Sequence, residues 1–135
     1  MMSQDPTRSL VEAAVSRYFT AIAARDAAAW AANFAPDGRS EDPVGREPVV
    51  GREALAAFQQ SIFDAFPVMV LTPVEHYFGG NQAAVKWTCH VEAGGRSADF
   101  TGINTYEVDE HGAIARQKAF WDIESVQRRL AAVQP

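Results

Sequence analysis

The sequence predicts an α+β fold, a cone-shaped, curved antiparallel sheet crossed by three helices from the N-terminal half, enclosing an apolar pocket. Two observations carry this expectation. Hydrophobic residues recur at steps of three and four through the first half and alternate with polar ones in the second. Helices, a short strand, a helix and then a meander of long strands is the order of helices packed on one face of a sheet. The alternation licenses the sheet. The pocket is the added expectation that a strongly curved sheet, covered on its open side, encloses space.

Ser9 to Arg25 forms the first helix, because Val11, Ala14, Tyr18 and Ile22 fall on one face. Asp26 caps a short second helix through about Phe34, with Trp30 and Phe34 four residues apart. Pro36-Asp37-Gly38 breaks the chain there. A short strand, Arg39 to Asp42, is stopped by Pro43. The third helix runs from Arg52 to Phe66 with Leu55, Phe58, Ile62 and Phe66 inward, and Pro67 ends it.

The period then changes to two. Val68 to Phe78 is a strand, followed by a Gly79-Gly80-Asn81 turn. From Ala83 to Ala93 the side chains of Val85, Trp87, Cys89 and Val91 point one way. Those of Lys86, Thr88, His90 and Glu92 point the other. Gly94-Gly95 turns the chain into Ser97 to Val108. Glu110-His111-Gly112 turns it again into a last strand, Ala113 to Ile123. A tail helix, Glu124 to Ala132, closes the chain.

At 135 residues the chain fits one domain, residues 1–135, with no repeat or linker. The net charge of -5 argues against binding a nucleic-acid backbone, which needs a basic face. Cys89 is the only cysteine, so no internal disulfide forms, and it reads as a small buried hydrophobe. No stretch approaches the roughly 18 apolar residues of a membrane span. The start of the chain lacks a signal peptide's basic and apolar segments. These features imply a cytoplasmic protein that neither binds nucleic acid nor enters a membrane.

Three residues carry potential chemistry. Asp42 ends a strand and precedes Pro43, which stiffens the backbone holding it. It also reads as a solvated Asp opening a turn. Tyr18 lies on the apolar face of the first helix, where a core tyrosine bonded to a carbonyl is the plainer reading. Asn104 shares a strand face with Phe100, Tyr106 and Val108, and an amide there needs a partner. His76, His90 and His111 lack metal-ligand spacing. No phosphate loop, HExxH motif or nucleophile elbow is present, so neither a metal nor a cofactor is expected.

Read together, these positions resemble the ketosteroid isomerases of the nuclear transport factor 2-like, or SnoaL-like, superfamily. The resemblance rests on Val15-Ser16-Arg17-Tyr18 and on Glu41-Asp42-Pro43-Val44-Gly45, continued by Glu47-Pro48 and Gly51. It implies that Tyr18 is the oxyanion-hole tyrosine and Asp42 the general base. Asn104 stands where the family usually has a protonated Asp, and Gln59 where it has a supporting tyrosine. Phe34, Phe58, Trp87, Phe100 and Trp121 would be the substrate-binding walls. The implied substrate is an apolar small molecule, a 3-oxo-Δ5 steroid or similar enone, whose double bond moves by proton abstraction and dienolate stabilisation. The resemblance further implies a homodimer paired through the outward sheet face. Asn104 and Gln59 keep a polyketide cyclase or other proton-transfer enzyme open as alternatives, and a non-catalytic binding dimer as a third.

Overall fold

The structure is a computed structural model that describes residues 5–132. Residues 1–4, part of the segment read as lacking a leader, lie outside the described residues. Helix α1 spans Pro6–Ala23, one turn earlier than expected. Asp5 sets that start: its carboxylate accepts from the N–H of Thr7 and of Arg8, and Pro6 needs no donor in the first turn. Asp26 caps α2 (Ala27–Ala32) in the same way through Ala29 N–H. Losing such a cap costs about 0.5–2 kcal/mol. Between the two helices Arg25 takes a left-handed conformation (φ 55°). Its guanidinium donates to the carbonyls of Phe63 and Phe66 at 2.7 and 3.0 Å, tying this corner to the end of α3 (Arg52–Ala65).

Helix α2 stops before Phe34, which instead opens strand β1 (Phe34–Glu41). The strand runs through Pro36-Asp37-Gly38 where a break was expected. Its pairing register slips between Phe34 and Arg39, and that irregularity accommodates a proline that cannot donate to the ladder. Gly38 is needed there, since a Cβ would lie 2.8 Å from the Ile114 carbonyl oxygen. A two-residue strand, β2 (Val49–Val50), pairs with β1 and was not expected.

Strands β3 (Val68–Gly79), β4 (Gln82–Ala93), β5 (Arg96–Val108) and β6 (Ile114–Phe120) form the expected antiparallel meander. The sheet order is β2-β1-β6-β5-β4-β3. One joint differs from the all-antiparallel sheet predicted: β1 lies parallel to β6. Side-chain alternation records which face a residue takes but not strand direction. Ser40 Oγ donates to Gln117 Oε1 at 2.5 Å, a buried bond between register partners that pins the parallel joint. The sheet is mixed and does not close into a barrel.

The inward sheet face meets α1 to α3 in one core. Val11, Val15, Tyr18 and Ile22 pack with Trp30, Phe34, Leu55 and Phe63, and with Val85, Tyr106 and Ile114 from the strands. Helix α4 (Ile123–Ala132) follows β6 and rests on β5. The outward face carries Lys86, Thr88, His90 and Glu92 as the alternation requires, together with Ile103, Phe120 and Val70, each about half exposed. Among the described residues no helix is long and apolar enough to cross a membrane.

One glycine sets how the strands serve the interior. Gly102 faces Trp87 across the β4–β5 ladder, and the indole ring lies over it. A Cβ at Gly102 would overlap that ring and sit 2.7 Å from the Phe120 carbonyl oxygen. Gly102→Ala is therefore expected to cost about 1–3 kcal/mol, the usual penalty of overpacking. Urea denaturation should show the loss as a lower midpoint at unchanged slope.

Candidate active site

A cavity of about 430 Å³ opens between α1, α3, α4 and the inward face of β3 to β5. That volume lies in the range of small-molecule pockets. Its walls are mostly apolar: Ile22, Phe58, Ile62 and Phe66 from the helices, Met69, Leu71, Val91 and Phe100 from the strands. Helix α4 adds Ile123, Val126 and Leu130. Tyr18, Asp42, Asn104, Trp87 and Trp121 line the same space. The structure thus gathers seven of the eight sequence-selected residues around one cavity. Phe34 is the eighth, and it does not line it. Its ring is fully buried against Trp30, with centroids 4.8 Å apart, because it belongs to β1 and not to a helix facing the pocket.

Asp42 follows the last residue of β1, and a cis peptide joins it to Pro43. It is half-buried and accepts a 2.7 Å hydrogen bond at Oδ1 from the indole N–H of Trp121. Trp121 sits just beyond β6, so the parallel β1–β6 joint brings donor and acceptor together. Desolvation raises the Asp42 pKa above its ordinary value, while the Trp121 bond and the nearby Arg46 charge pull it back.

Tyr18 is buried among Phe19, Trp30 and Tyr106, all edge-on or tilted to its ring. Burial and the charge of Asp42 push its pKa up, so the hydroxyl stays protonated. The Asn104 amide and the Trp30 indole approach that hydroxyl and oppose the shift, although the Trp30 N–H closes no hydrogen bond among the described residues.

Asn104 is held on two sides. Its Oδ1 accepts from Trp87 Nε1 at 2.9 Å, and its Nδ2 donates to the Tyr106 hydroxyl at 2.9 Å. An indole can only donate, so the amide oxygen is committed to Trp87. The nitrogen must then face the side where Tyr106 and Tyr18 lie. Trp87, Phe100 and Trp121 form a row of rings at 5.7 and 5.2 Å, joining the residue that orients Asn104 to the one that holds Asp42.

Gln59 also lines the cavity, in the middle of the buried Leu55–Gln59–Phe63 face of α3. Among the described residues its Nε2 has no hydrogen-bond partner, a condition that costs about 1–3 kcal/mol in a buried amide. Cys89 lines the wall, and burial pushes its thiol up to about 12, which suits packing and not nucleophilic attack. Among the described residues no group of three or more His, Cys, Asp or Glu is placed to hold a metal. The wall residues missed in the sequence had a signal. Met69 and Leu71 share a strand face by period two, and Ile123, Val126 and Leu130 fall at steps of three and four.

A mostly apolar cavity lined by one carboxylate, a protonated phenol and an oriented amide defines a class of small-molecule site. The chain belongs to the SnoaL-like domain family, whose model matches residues 15–117. It is 36% identical over 111 residues to a steroid Δ-isomerase from Nocardioides simplex, covering 82% of this chain and 89% of that one. Among solved structures it resembles a SnoaL-like protein from Jannaschia sp. CCS1, with TM-score 0.85 and 17% identity over the full length of both. It also resembles RV0760c from Mycobacterium tuberculosis in complex with estradiol-17β-hemisuccinate. There the TM-score is 0.78 and identity 24%, over 85% of this chain and 95% of that one.

The raised pKa of Asp42 has a consequence for stability. At low pH the carboxyl is neutral whether folded or not. As pH rises past the ordinary value of 3.8, the unfolded chain releases the proton that the folded one retains, so stability falls until the folded pKa is passed. Asp42→Asn removes this loss and still accepts from Trp121. The variant should melt higher than the wild type at pH 7, with the gain shrinking towards pH 4 in a calorimetric series. A lower melting point at pH 7 would mean that the carboxylate is net stabilised by its surroundings.

Proposed function

We propose that this protein is a steroid Δ-isomerase-like enzyme that moves a double bond in a 3-oxo-Δ5 steroid or a similar enone. The observation that carries this reading is the arrangement of Asp42, Tyr18 and Asn104 around one apolar cavity. The relationship to the Nocardioides simplex isomerase supports it.

In this mechanism the ligand lies along the apolar walls with its carbonyl oxygen at Tyr18 and Asn104. Asp42, with Oδ1 held by Trp121, takes the proton from the carbon between the carbonyl and the double bond. The electron pair moves into the carbonyl and gives a dienolate. Tyr18 donates its hydroxyl to that oxygen, and the remaining Asn104 N–H supplies a second donor. Asp42 returns the proton two carbons along, and the double bond is then conjugated with the carbonyl. No atom or electron is gained overall, so the chemistry needs no cofactor. The upward pKa shift of Asp42 makes it a stronger base than a solvated carboxylate.

Asn104 also favours a second reading. An amide N–H is a weaker acid than a carboxylic O–H, so the site offers less stabilisation to a dienolate than a protonated Asp would. It suits a substrate whose enolate forms more easily, as in cyclisation of a polyketide. Turnover separates the two, because a steroid that binds without isomerising supports the second. A third reading, a pocket that only binds, requires Asp42→Ala to leave the biological role of the protein intact.

We also propose that the protein pairs with a second copy through the outward sheet face. Ile103 and Phe120 are register partners there, 45% and 47% exposed. Ile103→Arg should then give a monomer by light scattering at micromolar concentration, where the wild type is a dimer.

Ultraviolet-monitored conversion of 5-androstenedione to its conjugated isomer tests the main reading. Asp42→Asn should lower kcat/KM by about 10²–10⁴-fold, and Tyr18→Phe by about 10²–10³-fold. In the wild type kcat/KM should rise with pH along an acid limb whose midpoint lies above 3.8. Wild-type turnover no faster than buffer would refute the isomerase reading.

A further inference from the structure

Gln59 interrupts the buried face of α3, where Leu55 and Phe63 are its neighbours one turn away on either side. An apolar residue would fit that stripe at lower cost, yet an amide occupies it. Gln59 is only 2% exposed, lines the cavity, and among the described residues leaves Nε2 without a partner. It does not support Tyr18. The groups that approach the Tyr18 hydroxyl are Trp30 and Asn104. Among the described residues three other buried side-chain donors also lack partners, on Trp30, Arg39 and Gln117, but they differ in placement, and Arg39 does not line the cavity. Gln117 is anchored through its carbonyl oxygen to Ser40, and neither Gln117 nor Trp30 lines the cavity. Gln59 therefore combines an unused donor, turned away from the cavity as placed, with a position in the cavity wall. The terminal amide torsion of Gln is broad and roughly two-fold, so a half-turn presents the nitrogen to the cavity without moving the backbone.

We propose that Gln59 is a ligand-recognition residue whose amide N–H bonds an oxygen acceptor (a phenolate, ketone or hydroxyl oxygen) on the molecule in the cavity. The inference rests on the proposed reading for the class of ligand, an apolar ring skeleton bearing oxygen, but not on any turnover. The oxygen is either the one received by Tyr18 and Asn104 or a second one elsewhere on the skeleton. Between the apolar walls of the helices and strands, a donor here rewards ligands that carry oxygen within its reach. An unsatisfied buried amide in the empty pocket becomes satisfied only when such a ligand arrives. Fold stability is traded for selective binding, as functional sites often do.

The test compares wild type with Gln59→Met, which keeps the length of the side chain and removes its hydrogen bonding. Affinities for estradiol and for 17-deoxyestradiol, which lacks the second oxygen, are read from the fluorescence of Trp87 and Trp121 in the cavity wall. Melting temperatures of the ligand-free proteins are measured alongside. Gln59→Met is expected to melt at or above the wild-type temperature and to bind estradiol about tenfold more weakly. If 17-deoxyestradiol weakens equally, Gln59 shares the oxygen held by Tyr18 and Asn104. If only estradiol weakens, Gln59 meets the second oxygen. Either pattern supports the proposal. Unchanged affinity for both ligands overturns it, as does a clear fall in ligand-free melting temperature, which would reveal a structural partner for the amide. Failure of either ligand to bind the wild type also overturns it. Binding without isomerisation refutes the isomerase reading and leaves this inference standing.

Discussion

The hydrogen bond from Trp87 Nε1 to Asn104 Oδ1 organises the interior. A primary amide is nearly symmetric in shape, and only its partners decide which end donates. Trp87 supplies a donor and no acceptor, so it fixes the amide in one sense and directs the nitrogen towards Tyr106 and Tyr18. The indole reaches across because its register partner is Gly102, the one position on β5 where no side chain blocks it. Its ring edge then meets Phe100, and Phe100 meets Trp121, whose N–H holds Asp42. The orientation of the donors and the placement of the carboxylate are thus set by one continuous aromatic row.

The electrostatics follow from that packing. Two phenols and a carboxylate line one mostly apolar region, and the carboxylate charge raises the cost of ionising either phenol. Tyr18 and Tyr106 are both held neutral by burial, and the Asp42 charge adds to the effect on each. All three have opposing contacts, but only Asp42 has both a direct N–H donor and a nearby cation, Arg46. It is accordingly the group best placed to carry charge in the cavity, while the phenols stay protonated.

Much of this was legible in the sequence because it is written in periodicity. The strict alternation from Ala83 to Ala93 identifies Val85, Trp87, Cys89 and Val91 as inward, and all four are buried. The α3 pattern was readable in part: Phe58, Ile62 and Phe66 line the cavity as the spacing suggests, but the fully buried face is Leu55, Gln59 and Phe63. What escaped depends on pairing between distant segments. Nothing local distinguishes a β1 that runs parallel to β6 from one that runs against it. Pro36-Asp37-Gly38 looks like a break because the bulge that absorbs it exists only once Ile114 is alongside. Phe34 followed the same error: placed on a helix it would face the pocket, whereas on β1 it packs behind Trp30. The unpaired nitrogen of Gln59 was invisible for a different reason, since a missing partner is a property of the assembled core.

The parallel joint between β1 and β6 also fixes when the site comes into being. Ser40 meets Gln117 and Asp42 meets Trp121 across most of the length of the chain. Closing so long a loop is entropically costly, and contacts of this kind generally form after local hairpins. During synthesis a ribosome will have released α1 to α3 and much of the meander before Trp121 emerges. The nascent chain then has an apolar wall with no anchored carboxylate and no α4 at its rim. Until the last strand docks, that wall is exposed surface prone to self-association. The order of the residues along the gene therefore makes completion of the pocket and protection of its lining the same late event.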